Sequence, residues 1–174
     1  MAISFSETPL GELQGLLNIA GRDVHLTPYG LVFLKENCAA RGVSPVVYLN
    51  NVNGDKDDVV KDLCGLIETS PTAAARILPL VSFFGQKLKP WKQPRRHGSM
   101  DFMWEREWRY ASPDGVFSFD ESDVLLGLCP FGRIEEFEEQ FDWLRFIDPR
   151  YDVRYFQDKI IKAKAESGIQ AEIM

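Results

Sequence analysis

Read with a period of two, the stretch Phe102-Met103-Trp104-Glu105-Arg106-Glu107-Trp108-Arg109-Tyr110 separates into two unlike faces. Phe102, Trp104, Trp108 and Tyr110 share one face, with Arg106 between the tryptophans. Asp101, Met103, Glu105, Glu107 and Arg109 share the other. Aromatic side chains favour strands, so the stretch predicts a long strand with its aromatic face in a core. Trp104 and Trp108 are then expected to be buried, with Glu105 and Glu107 on the far side, roughly 7 Å apart. Such a carboxylate pair can do acid–base work, grip ribose hydroxyls, or repel until Arg109 and other cations balance it. The plain alternative is a solvated face laced by cross-strand ion pairs. Arg106 is expected to stack on an indole or to lie under a loop.

The elements around this strand predict an α+β fold of short strands and hairpins with inserted helices. Strands are expected at Ala2–Phe5, Tyr29–Leu34, Pro45–Leu49, Val124–Leu128 and Leu144–Ile147, with Gly127 marking a bulge or a close approach. Ser112-Pro113-Asp114-Gly115 reads as a hairpin turn, with Val116–Phe119 as the return strand. Thr8 and Pro9 read as the N-cap and first residue of a helix running to Ala20. Further helices are expected at Lys35–Arg41, Asp55–Thr69, Ile134–Trp143 and Val153–Ala165, and from Pro71 to Leu78 or Phe84, where Pro79 is a candidate break. A length of 174 residues suits one domain, residues 1–166, with a frayed tail over 167–174.

Composition excludes several classes. No run of 18 apolar residues occurs, so no membrane span is expected. Met1–Glu7 has no basic start and an early acid, which is unlike a signal peptide. Cys38, Cys64 and Cys129 are scattered and odd in number, which fits buried thiols in a reducing cytosol and not a disulfide framework. The net charge of −6 means that any binding of nucleic acid must be local. The best local candidate is the loop from Lys87 to Gly98. There Lys87, Lys89, Lys92, Arg95 and Arg96 occur without an acid, and Trp91 is available for base stacking. Phosphate-binding glycine loops, paired C-x-x-C and serine-elbow motifs are absent. His25 and His97 are the only histidines, so a histidine-rich metal site is excluded and no metal is expected.

A family likeness then emerges from an ordered set of short motifs. These are Ile3-Ser4-Phe5-Ser6-Glu7-Thr8-Pro9-Leu10, His25, Tyr29-Gly30-Leu31-Val32-Phe33, Lys35-Glu36, Gly42-Val43-Ser44-Pro45-Val46-Val47-Tyr48 and Glu105-Arg106-Glu107-Trp108-Arg109. Together they resemble the AbiGi-type abortive-infection proteins over roughly residues 3 to 110, and more loosely over 116 to 160. The resemblance implies a bacterial, cytoplasmic phage-defence protein, of a kind that includes the antitoxin half of a pair. A more distant likeness is to DarT-type ADP-ribosyltransferases. It implies NAD as cofactor, Glu107, Glu105 and His25 as catalytic residues, and Tyr29 and Arg109 as cofactor-binding residues. In that chemistry a strand carboxylate holds the nicotinamide ribose and stabilises an oxocarbenium-like centre. The first motif begins at residue 3, without the upstream segment that the family carries, which implies a shortened form keeping the scaffold alone. Two readings therefore stand: an ADP-ribosyltransferase-like enzyme, and a non-catalytic antitoxin or regulator that binds a toxin or nucleic acid.

Overall fold

The computed structural model describes residues 1–18, 26–50, 58–84, 106–112 and 114–168. The fold is α+β. In chain order its strands are β1 (Ala2–Ser6), β2 (Gly30–Phe33), β3 (Ser44–Pro45), β4 (Val47–Asn50), β5 (Val81–Phe84), β6 (Glu107–Ala111), β7 (Val124–Leu128) and β8 (Phe146–Ile147). Its α-helices are α1 (Leu13–Leu17), α2 (Lys35–Ala40), α3 (Asp58–Thr69), α4 (Pro71–Ile77), α5 (Ile134–Gln140) and α6 (Gln157–Glu166). The chain divides into two compact units, each built from two separate stretches. Unit 1 comprises Met1–Glu7 and Gly42–Phe117; unit 2 comprises Thr8–Arg41 and Ser118–Met174.

In unit 1, β6 is the middle strand of the sheet β1-β6-β3, antiparallel to both neighbours. The register sets Phe5 opposite Trp108 and Ser44 opposite Arg109. A second sheet pairs β4 with β5 in parallel, Val47 opposite Val81. The expected strand Pro45–Leu49 is therefore two strands in two sheets. It divides at Val46, whose buried side chain and N–H bond to the Glu107 carbonyl mark the crossing point. The helix expected to run on from Pro71 ends at Ile77. Pro79 sits in a 3-10 turn (Leu78–Leu80), where its missing N–H removes nothing that the turn needs. Val81-Ser82-Phe83-Phe84 then leaves as a strand, as a β-branched and aromatic run with a parallel partner should.

Val116–Phe119 is not the return strand of a hairpin, because β1 and β3 already occupy both edges of β6. The turn is closed by side chains. The Ser112 hydroxyl and Asp114 Oδ1 both accept from the Val116 N–H, at 3.0 and 3.1 Å. Phe117 then sits edge-on against both Phe5 and Tyr110, with ring centroids 5.2 Å apart in each case. The aromatic side of β6 thus faces packed rings, as the alternation requires, although Trp108 is only half-buried.

In unit 2, β7 lies between antiparallel β2 and parallel β8. The core gathers around it: Val124, Leu126, Cys129, Ile134, Leu144, Phe146, Ile147, Phe156, Ile160 and Ala163 are all buried. Gly127 is a close approach. A Cβ built there would lie 2.1 Å from Cε1 of Phe146, so the flat ring takes the space a side chain would fill. Thr8 does not cap a helix. Pro9 stands at the N-cap position of a 3-10 turn (Leu10–Glu12) that leads into α1. Likewise α6 follows a 3-10 turn over Val153–Phe156, and α5 stops at Gln140, leaving Trp143 in the exposed turn beyond. Gly42, at φ +91°, ends the α2 segment as a residue without a Cβ can. The Cys38 and Cys129 thiols are buried in this unit, but Cys64 on α3 is exposed, so burial does not extend to every cysteine.

Candidate functional site

Glu107 and Arg109 stand two residues apart on β6 and therefore on one face. That face is not solvated, since the two side chains are only 14% and 20% exposed. Arg109 donates from Nε to Glu107 Oε1 and from Nη2 to Oε2, both at 2.9 Å. Its remaining terminal nitrogen, Nη1, donates to the carbonyls of Pro79 and Val81, both at 3.0 Å. All three guanidinium nitrogens are thus engaged. The group neutralises the carboxylate, ties β6 to the start of β5, and satisfies two carbonyls that the 3-10 turn leaves over. The ion pair runs along one strand, not across two.

The other side of β6 carries Trp108, whose indole N–H donates to Glu7 Oε2 at 2.9 Å. Glu7 Oε1 lies 3.6 Å from Arg106 Nη2. Arg106 is exposed and does not continue the strand. Its φ is +46°, the left-handed region, and the extended backbone begins only at Glu107. The extended face described here starts at Glu107.

Glu105, His25 and Trp104 lie outside the described residues, as does the basic loop with Lys87, Lys89, Trp91, Lys92, Arg95 and Arg96. Tyr29 belongs to unit 2, whereas Glu107 and Arg109 belong to unit 1. Tyr29 is exposed at the start of β2. Its ring is 6.1 Å from that of Phe137, and its hydroxyl is within electrostatic range of Arg133 and Arg150.

Those neighbours disclose a feature that reading by periodicity passes over. Asp148-Pro149-Arg150-Tyr151 is followed at once by Asp152-Val153-Arg154-Tyr155, a tetrapeptide D-x-R-Y in tandem. The two copies have one geometry. In each, the aspartate accepts from the backbone N–H of the arginine two residues on, at 2.9 Å. In each, the same arginine closes on the carboxylate with Nε and Nη2, the latter at 2.7 Å for Arg150 and 2.5 Å for Arg154. Among the described residues Nη1 of neither arginine has a hydrogen-bond partner, and the next tyrosine is exposed in each copy. Tyr151 and Tyr155 touch edge to face at 6.1 Å, and Phe131 extends the row at 5.8 Å from Tyr151. The first aspartate is the anchor: Asp148 is 1% exposed and also accepts from the Phe131 N–H at 2.7 Å. One buried carboxylate thus fixes Arg150 and the base of Phe131 together. Nearby, Arg133 is paired with Glu136 and lies 5.3 Å over the Phe137 ring.

The clamps set the charge state. Burial pushes the Asp148 carboxyl up, but hydrogen bonds from Arg150 and from the Phe131 N–H outweigh it and hold the group below the ordinary carboxylate value. The Arg154 guanidinium, helped by its backbone N–H, holds Asp152 down to about 2. Both folded values lie below the unfolded one of about 3.9, so the stabilisation is complete above that pH and is lost as pH falls through the folded values. The melting temperature should therefore fall between about pH 4 and about pH 2. Asp152→Asn should lower the melting temperature near neutrality, where the ion pair contributes, and flatten part of the acid fall, so that the two proteins converge at low pH; equal acid slopes for the two proteins would contradict the assignment.

A cavity of about 280 Å³ also opens in unit 2, lined by Trp143, Arg145, Glu121, Glu166, Ser122 and Ser167 among others. Arg145 meets Glu166 there at 3.4 Å. With one cation against two acids, the lining does not favour an anion. Among the described residues no group of histidine, cysteine and carboxylate side chains could hold a metal ion, and no helix is long and apolar enough to cross a membrane. No protein-family model, no curated protein and no solved structure matches the chain.

Proposed function

We propose that this chain is a non-catalytic antitoxin or regulator of a bacterial phage-defence system, acting in the cytoplasm by binding a partner. The observation that carries the reading is the state of Glu107. An ADP-ribosyltransferase would need a carboxylate free to hold a ribose hydroxyl and to meet developing positive charge. Here both oxygens are taken by Arg109, and that guanidinium is itself bound to two carbonyls. The carboxylate charge is already balanced by Arg109, which supports a structural role for the pair, as a joint between two sheets, over a grip on NAD. Loss of the pair is a matter of stability.

Glu107→Gln should cost about 1–3 kcal/mol, because it leaves a half-buried guanidinium facing a neutral amide. Wild-type protein should show no NAD-dependent labelling of nucleic acid or protein, and NAD should not raise its melting temperature. The opposite pattern would overturn the reading: labelling by the wild type, lost in Glu107→Gln at an unchanged melting temperature.

A further inference from the structure

We draw no further inference here: the strongest candidate, the cavity of unit 2 lined by Trp143, Arg145, Glu121 and Glu166 among others, offers an aromatic ring and charges of both signs together, and nothing in the structure shows which class of ligand they would hold.

Discussion

Replacing Gly127 with valine is expected to destabilise the protein by about 3 kcal/mol or more, and alanine by about 2–3. The reason is geometric. A Cβ at this position would meet Phe146 at 2.1, 2.4 and 2.6 Å, all on the ring edge, where real contacts essentially never come under 3.0 Å. Phe146 cannot swing away cheaply. It is 3% exposed, its backbone belongs to β8, and its ring is packed against Phe137 and Phe141. Gly127 itself is hydrogen-bonded into the middle of the sheet, through its N–H to the Arg145 carbonyl. Neither partner can move without opening the β7–β8 pairing. A lower midpoint in urea at constant slope would register the effect. The coupling is specific, so Phe146→Leu should recover part of the loss in the Gly127→Ala background although it is harmful alone. A Gly127→Ala protein as stable as the wild type would show that the ring has another place to go.

The second large effect is expected at Asp148. Asp148→Ala should cost about 3–5 kcal/mol, and Asp148→Asn somewhat less. Truncation leaves the Phe131 and Arg150 backbone N–H groups without their acceptor and removes the counter-charge from Arg150. The asparagine can restore at most one acceptor and brings an amide N–H₂ toward existing donors. The check is chemical denaturation of both Asp148 variants beside the wild type. Full stability in Asp148→Ala would mean that the carboxylate is not the anchor.

The secondary structure was legible where period and propensity agree and where neighbours do not intervene. Ala2–Ser6, Gly30–Phe33, Lys35–Ala40 and Val124–Leu128 stand close to where their patterns place them. Errors arose where a partner decides. Val81–Phe84 becomes a strand because β4 offers a parallel edge, and Val116–Phe119 does not, because β1 and β3 leave β6 no edge to offer. Pairing of that kind is set by residues far away in sequence, which a local pattern does not contain. Arg106 shows a different blind spot. A left-handed φ at a non-glycine residue has no reliable signature, so the alternation gives no warning of the turn at Arg106. At the site, the pairing of Glu107 with Arg109 follows from their i, i+2 spacing, but its cover by Pro79 and Val81 does not. The D-x-R-Y tandem lay in plain view. A four-residue repeat is far shorter than the periods that signal repeat architectures, and the burial of one aspartate and the exposure of the other cannot be inferred from identical tetrapeptides.

The interleaving of the two units bears on how the protein is made. A ribosome delivers the chain from the N-terminus, and domains usually fold as they emerge. Here β1 must wait for β6, and β2 must wait for β7, so neither unit can close until most of the chain has been released. The α2 end and the later segment are then joined by Arg41, which bridges to Asp120 and Asp123 at 2.5 and 2.7 Å and fastens the chain leaving unit 2 to the chain returning to it. Such a chain keeps its aromatic strands unpaired for much of its synthesis, the interval in which exposed edges are most open to wrong partners. Prompt occupation by a chaperone or a cognate protein would benefit this topology more than one assembled from consecutive segments.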